Sequence, residues 1–295
     1  MDERRVKIDK NSRVAFQGER GAFSEEAAVK LLGEDITLVS RPTFEEAFGA
    51  IRDGAADYIL APIENSLAGS VHRSFDLLVM DSQLHIVGEV IIPIVHNLIA
   101  APGARFEELR VVESHPVALA QCEHFFALHP RLKRMASEDT AGSVRNVVLL
   151  GDRTRGAIAG RRAAEIYGGL ILREHLEDNR ENYTRFLLLT QSAAAPENAD
   201  KLSLVFQLDH QPGALYHSLE PFARRHLNLL KIESRPVHGS PWQYRFYLDL
   251  QASRRHAQVT AALRELEKLV VNLRILGSYV SAPRSETGSV QSKES

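Results

Sequence analysis

Residues 184–208 read Thr-Arg-Phe-Leu-Leu-Leu-Thr-Gln-Ser-Ala-Ala-Ala-Pro-Glu-Asn-Ala-Asp-Lys-Leu-Ser-Leu-Val-Phe-Gln-Leu. Thr184 to Leu189 is a strong strand pattern. Gln191 to Lys201, rich in Ala, Ser, Pro and Asn, reads as an interdomain linker. Beyond it Leu202, Leu204, Phe206 and Leu208 alternate with polar or smaller residues, the period of a strand with one buried face. The pattern of elements changes across this stretch, which divides the chain into a unit at 12–191 and a smaller one at 201–281.

Upstream, short apolar strands alternate with helical patterns. Strands are expected at 13–16, 36–39, 58–61, 111–113 and 155–159, with one or two more at 84–94. Between them, Ser24 would cap a helix whose first turn carries Glu25 and Glu26, and Thr43 with Glu46 forms a capping-box pattern. Further helices are expected at 71–80, 117–128, 140–150 and 161–167, with Cys122, Phe125 and Phe126 facing inward. Such alternation predicts α/β architecture with a largely parallel sheet, in one domain or two lobes. Downstream, Pro212-Gly213 opens a helix striped by Leu215, Leu219 and Phe222. Strands follow at 227–234 and 244–250, then a helix striped by Val259, Leu263, Leu266 and Val270, then a strand at 271–280. That order, β-α-β-β-α-β, is the ferredoxin-like arrangement.

Composition narrows the function. The 295 residues include 36 Lys plus Arg and 38 Asp plus Glu, a formal charge of −2, and show no basic stripe, which argues against nucleic acid. The single cysteine, Cys122, cannot form an internal bridge, so a disulfide scaffold is excluded and a reducing compartment is indicated. No apolar h-region follows Met1-Asp2-Glu3-Arg4-Arg5. The greasiest stretch, 84–101, contains His85, Glu89, Pro93, His96 and Asn97 and is too polar to cross a membrane. These features point to a cytoplasmic protein. Residues 1–12 and 284–295 are expected to be disordered tails.

Four segments could carry chemistry. Gly18-Glu19-Arg20-Gly21-Ala22-Phe23-Ser24 is a glycine loop before a helix, where free N–H groups attract anions; the plainer reading is a βα turn. Pro62-Ile63-Glu64-Asn65-Ser66 follows a strand, where three consecutive polar side chains could hold a polar substrate or simply cap the next helix. Ser114-His115-Pro116 also sits at a strand end, with Gln121 beyond it. Adjacent strand residues point opposite ways, so a Ser–His pair there need not touch, and Ser114 reads better as a helix cap. Asn182-Tyr183-Thr184-Arg185-Phe186 offers a bidentate arginine for a carboxylate and a hydroxyl donor, or else a surface-paired arginine. No Cys/His cluster has metal-ligand spacing, so no metal site is expected.

Taken together, these segments resemble the prephenate dehydratase family, in order from Val14 to about Val280. The glycine loop with Ser24, Pro62-Ile63-Glu64-Asn65-Ser66, Ser114-His115-Pro116 through Gln121, Asp139-Thr140-Ala141, and Asn182 with Thr184-Arg185-Phe186 match its signatures. Pro212-Gly213-Ala214-Leu215 and Lys231-Ile232-Glu233-Ser234-Arg235-Pro236 look like the ligand motifs of its ACT regulatory domain. The wording at 63–78 and 84–90 is closer to the plant-type arogenate dehydratase branch. Departures are Val117 where Gln is frequent, Ala22 where many bacterial members have Thr, and Leu230 where Thr often precedes the lysine.

The resemblance implies a two-lobed α/β catalytic domain, like type II periplasmic binding proteins, followed by the ACT domain. It implies a monofunctional enzyme without cofactor, acting on prephenate or L-arogenate. Thr184 would assist the leaving hydroxyl. Glu64, Asn65, Ser114 and Gln121 would shape the catalytic pocket. Ser24, Ser66, His115, Thr140, Asn182, Arg185 and Phe186 would bind substrate, with Arg185 and the glycine-loop amides as candidates for its carboxylates. L-Phenylalanine would bind as effector at Pro212, Gly213, Ala214, Leu215, Glu233, Ser234 and Arg235 in a homodimer or homotetramer. The reading from another class is an amino-acid sensor without activity, which would lack the proton donor.

Overall fold

In the computed structural model, which describes residue 6 and residues 8–192, 195–237 and 239–283, the chain builds three sheets. It starts with β1 (Arg13–Gln17), α1 (Phe23–Leu32), β2 (Thr37–Arg41), α2 (Phe44–Arg52), β3 (Tyr58–Asn65), β4 (Gly69–Ser70), α3 (His72–Met80) and β5 (His85–Pro93). It then crosses to β6 (Asn97–Ala100), β7 (Val111–Ser114), α4 (Pro116–Ala120), α5 (Glu123–Leu128), β8 (Lys133–Ala136), α6 (Thr140–Leu150), β9 (Arg155–Ala159), α7 (Arg161–Tyr167) and β10 (Leu170–Arg173). It returns as β11 (Tyr183–Thr190). The last segment is β12 (Lys201–Gln207), α8 (Ala214–Ala223), β13 (Leu229–Pro236), β14 (Tyr244–Leu250), α9 (Ala257–Leu266) and β15 (Val271–Tyr279).

The first sheet runs β2-β1-β3-β11-β5 with β4 on β3, and the second runs β10-β6-β9-β7-β8. They are the sheets of two lobes. Both are mixed rather than largely parallel. The expected parallel order holds for β1 with β2 and β3, and for β7 with β8 and β9. It fails in the first sheet because β11 inserts antiparallel between β3 and β5, and in the second because β6 pairs antiparallel with both β9 and β10. The two crossings are joined by backbone hydrogen bonds from Leu176 to the His96 carbonyl and from Ile94 to the Asn182 carbonyl, both 2.8 Å.

Several local expectations are corrected. The helix expected at 117–128 breaks at Gln121-Cys122, where the Asp178 carboxylate caps the Glu123 and His124 amides at 2.7 and 2.9 Å. Ser24 does not cap α1; extended Ala22 does, and Ser24 lies buried in the first turn. The short strands β8 and β10, four residues each with exposed ends, add to the expected set; β8 has little apolar pattern and β10 only the run Leu170-Ile171-Leu172. Residues 284–295 and the first five lie outside the described residues. Val6, however, packs on the core beside Leu188, and Ser12 is buried, so the stretch before β1 is not all tail.

The third sheet has the order β13-β14-β12-β15, antiparallel throughout, which is the expected ferredoxin-like topology. Helices α8 and α9 cover one face over Leu202, Leu204, Phe206, Leu248 and Leu250. The other face, with Val205, Tyr247, Leu276 and Tyr279, shares a core with Ile63, Phe75, Leu78, Ile86 and Leu187 of the first lobe. The approach is close: a Cβ on Gly277 would lie 2.1 Å from the Ile86 carbonyl oxygen. Lys201 is therefore not linker but the buried first residue of β12.

The two lobes are pinned to each other beside the glycine loop. Gly21 has φ +83° and abuts α7, where its Cβ would lie 2.7 Å from the Ala163 Cα. The fully buried Glu25 carboxylate takes hydrogen bonds from Arg20 (2.6 Å), the Gly21 amide (3.1 Å) and Arg162 of the second lobe (2.9 Å). Arg145 adds a second bridge, to Glu19 at 2.7 Å. Burial alone would push the Glu25 carboxyl up. Its hydrogen bonds from Arg20, Gly21 and Arg162 outweigh that and hold it below the usual range. A depressed carboxyl stabilises the fold above its unfolded value of ~4.3 and loses that contribution as pH falls through its folded value. The melting-temperature gap between wild type and Glu25→Gln is thus expected to be widest near neutral pH and to narrow under acid; a gap independent of pH would mean that Glu25 is not ionised in the fold.

Candidate active site

The end of β3 and the start of β11 pair Asn65 with Thr184 and Glu64 with Arg185. Side chains alternate along a strand, so each pair faces a different side of the sheet. Asn65 and Thr184 face the crossings between the lobes. Glu64 and Arg185 face the third sheet. A register shift between Arg185 and Phe186 leaves Ile63 without a partner across the ladder.

On the lobe side, five side chains form one hydrogen-bonded chain. The two hydrogens of the Asn65 amide nitrogen are shared among three acceptors, Asn182 Oδ1 (2.8 Å), Thr184 Oγ1 (3.0 Å) and the Tyr183 carbonyl (3.1 Å). Asn182 Nδ2 donates to Gln121 Oε1 (3.0 Å), which also meets His96 Nε2 (2.8 Å). The direction of every amide follows from one end. Asn65 Oδ1 accepts from the backbone N–H groups of Leu67 (3.0 Å) and Ala68 (2.8 Å), so its other atom must be the nitrogen. Asn182 Oδ1 must then be an acceptor and Asn182 Nδ2 a donor. An amide nitrogen cannot accept a hydrogen bond, so Thr184 Oγ1 accepts there and keeps its own proton. No described residue accepts that proton.

His96 is not among the site residues that the sequence points to, where it is one polar residue in the apolar stretch 84–101. It is 1% exposed, its ring meets Phe23 edge-on at 5.9 Å, and its amide donates to Glu177 at 2.8 Å. Burial lowers its pKa, with the Gln121 hydrogen bond and the Glu177 charge opposing in part, so it is neutral at pH 7. Phe23 opens α1, where the Phe23 and Ser24 amides have no acceptor among the described residues. Ser24 is buried within that first turn.

Other sequence candidates have different roles. Ser66 Oγ donates to the Glu181 carbonyl (2.7 Å) and accepts from Tyr183 N (2.9 Å), which clamps the start of β11 and leaves it unfitted for substrate. Ser114 is fully buried and donates to the Ile158 carbonyl at 2.6 Å. His115, not Ser114, caps α4, its Nδ1 accepting from Val117 N. Phe186 is a core residue under α1. Thr140 opens α6, whose cap is Asp139. The Gly21 amide is held by Glu25 and the Ala22 amide by the Glu19 carbonyl, so neither is free for a carboxylate.

Arg185 and Glu64 are the larger correction, because neither points into the cleft. Arg185 pairs with Glu89 (2.7 Å) and Asp249 (2.7 Å) and donates to Tyr279 Oη (3.2 Å). Lys201 pairs with the same Glu89 at 2.8 Å, and Ser203 bridges Asp249 and Tyr279. Glu64 pairs with Lys231 at 2.8 Å. On β13, Glu233 receives a hydrogen bond from Ser70 (2.6 Å) and Arg235 pairs with Asp76 (3.0 Å). Glu233 and Arg235 are therefore engaged by the first lobe rather than open to an effector. Ser234, paired across the ladder with Phe246, faces the other way and is exposed, as are Pro212, Gly213 and Leu215; Ala214 is half-buried. Burial would raise Asp249, and the charges of Arg185 and Lys201 outweigh it and keep it ionised.

Among the described residues no group of three His, Cys, Asp or Glu could hold a metal ion, and no helix is long and apolar enough to cross a membrane.

Three comparisons bear on what this arrangement does. Residues 14–194 match the family described as prephenate dehydratase. The chain is 42% identical to the chloroplastic arogenate dehydratase/prephenate dehydratase 2 of Arabidopsis thaliana, over 90% of this chain and 72% of that protein. It is 36% identical to the bifunctional chorismate mutase/prephenate dehydratase of Neisseria gonorrhoeae, over 93% and 76%. Among solved structures, the Arthrobacter aurescens prephenate dehydratase in complex with L-Phe superposes with a TM-score of 0.84 at 33% identity, covering 91% of this chain and 90% of that one. GqqA, described as a novel type of quorum quenching acylase, superposes with a TM-score of 0.85 at 33% identity, covering 92% and 98%.

Replacing Arg185 with Met leaves buried Asp249 without its ion-pair partner, while Glu89 keeps Lys201, a loss of ~3–5 kcal/mol. Urea denaturation of Arg185→Met should show it, with Arg185→Lys recovering part because an ammonium cannot fork between partners. A midpoint unchanged in Arg185→Met would remove the cluster from the account of stability.

Proposed function

This chain belongs to the prephenate dehydratase family of hydro-lyases, and we propose that it converts prephenate to phenylpyruvate by decarboxylating dehydration. L-Arogenate, giving L-phenylalanine by the same bond changes, is the second substrate reading, favoured by relatives whose names carry both activities. In either case the bond from the ring to its carboxylate breaks and releases CO2. Its electron pair enters the ring, the carbon–oxygen bond to the ring hydroxyl breaks, and the oxygen leaves with one proton gained, as water. Aromatisation drives the step, so no electron sink is required.

The observation that carries this reading is the unengaged hydroxyl proton of Thr184. Asn65 donates to Thr184 Oγ1 and no described residue accepts the hydroxyl proton, which leaves it available to the departing oxygen. Threonine is a poor acid by its own pKa, so the contribution is a positioned hydrogen bond to developing negative charge. The Asn65 contact withdraws electron density from the oxygen and sharpens the donor. The Phe23 and Ser24 amides at the start of α1, with Ser24, suit a substrate carboxylate. The ring carboxylate belongs in the less hydrated part of the cleft, where loss of charge as CO2 is favoured.

An acylase chemistry like that named for GqqA has less support here. Ser114 gives its proton to a backbone carbonyl, and His115 caps a helix instead of meeting it.

Residues 12–191 serve in this proposal as the catalytic domain and 201–281 as an ACT domain that binds L-phenylalanine between copies of the chain in a homodimer or homotetramer. Exposed Gly213, Leu215 and Ser234 are its effector-facing residues. The ion pairs of Lys231 with Glu64 and of Asp249 with Arg185 reach the two strands that carry Asn65 and Thr184, a direct mechanical link between effector and site. The effector would act by favouring one arrangement of these contacts over another.

Turnover of prephenate and L-arogenate, measured side by side with and without L-phenylalanine, tests the reading. Thr184→Ala should lose ~10²-fold or more in kcat with the fold intact, and Thr184→Ser should keep most of it. Near-normal turnover by Thr184→Ala would remove Thr184 from the mechanism, and no turnover of either substrate by wild type would revive the sensor reading. Gly213→Ala or Ser234→Ala should blunt the response to phenylalanine and spare basal turnover; an unchanged response would relocate the effector site.

A further inference from the structure

The hydrogen-bonded chain that begins at Asn65 ends at His96, and its direction dictates the state of that ring. Gln121 Oε1 accepts from Asn182 Nδ2, so it can meet His96 Nε2 only if that nitrogen carries a proton. His96 Nδ1 is buried and has no partner among the described residues. The ring is therefore neutral and protonated at Nε2. Gln121 has its oxygen held by two donors, and no described residue accepts from its amide nitrogen. Two N–H groups of Gln121 are thus presented outward.

We propose that His96 is a positioning residue for the dehydratase reaction: its Nε2–H, together with Asn182, locks the Gln121 side chain so that the amide N–H groups face the anionic substrate. The inference rests on the proposed function and adds a residue to it. The reverse orientation of Gln121 would set its N–H groups against both Asn182 Nδ2 and His96 Nε2–H. Losing His96 removes one of these two restraints, and the amide then samples orientations that put an oxygen toward the substrate carboxylates. His96 does not touch the reacting atoms and gives no proton to them.

Glutamine and asparagine separate the two ring nitrogens. A glutamine amide reaches the place of Nε2 and can donate to Gln121; an asparagine amide reaches only the place of Nδ1. His96→Gln should keep kcat/KM within ~3-fold of wild type, whereas His96→Asn and His96→Phe should lose ~10–100-fold, the range of one or two hydrogen bonds in a buried network. The loss should fall on Gln121-dependent steps: in a Gln121→Ala background, His96→Asn should cost no further activity. Nitrogen-15 NMR of labelled histidine in wild type, with His96 assigned through its own backbone resonances, should show protonated Nε2 and bare Nδ1 from pH 6 to 8, whether or not the variants fold well. Equal activities for His96→Gln and His96→Asn, or a ring protonated at Nδ1, would overturn the proposal. A wild type that turns over neither substrate would instead overturn the functional reading and leave the tautomer measurement standing.

Discussion

Two backbone N–H groups, those of Leu67 and Ala68, hold the oxygen of the Asn65 side chain, and the rest of the site takes its direction from that contact. A tight turn after β3 supplies both donors. Once they fix the oxygen, the nitrogen must face Asn182 and Thr184. The polarity then runs without a break to His96. The neutral amides carry no formal charge, so they organise the cleft without a large desolvation cost and without neutralising an anionic substrate. Buried networks of this kind are rigid when every member is satisfied. Apart from the enclosed His96 Nδ1, the groups left unpaired are the Thr184 proton and the Gln121 amide nitrogen, and these are the ones that can meet a ligand.

The same two strands present a different chemistry on their other face. Glu64 and Arg185, one residue along from Asn65 and Thr184, are bound into a cluster with Glu89, Lys201, Asp249 and Lys231. Such a cluster is weak evidence for stability in itself, since desolvation offsets much of the attraction. Its geometry is what matters. It ties the third sheet to the strands of the site through contacts that break if the sheets move by a few ångströms. The shared apolar core under Phe75, Tyr247 and Leu276 keeps the two sheets together while those polar contacts define their register.

Much of this was legible in the sequence. The composition change at 191–201 falls between β11 and β12, and the period-2 and period-3.6 stripes match the βαββαβ order. The residues Asn65, Gln121, Asn182 and Thr184 come together as the family resemblance implied. What was not legible was direction across a sheet. Arg185 looked like a carboxylate clamp because arginine often is one; strand alternation, with Thr184 facing the cleft, already required Arg185 to face away. Ser66 and Ser114 looked like ligand groups because hydroxyls are versatile, and both are engaged with backbone atoms that only tertiary structure brings near. The polar residues inside the greasy stretch 84–101 were the overlooked signal. Glu89, His96 and Asn97 all prove buried, at 5%, 1% and 2% exposure, and two of them are central to the networks on either face.

The most direct test of the account is kcat of Asn65→Asp at saturating substrate. The carboxylate has the same shape and still accepts from Leu67 and Ala68, but its second oxygen replaces a donor with an acceptor. It would take the Thr184 proton for itself and repel Asn182 Oδ1. The account predicts a fall in kcat of ~10²-fold or more with the melting temperature little changed. A kcat within ~3-fold of wild type, less than ~1 kcal/mol in the barrier, would contradict it, because the outward-facing Thr184 proton could then not be the group that meets the leaving oxygen.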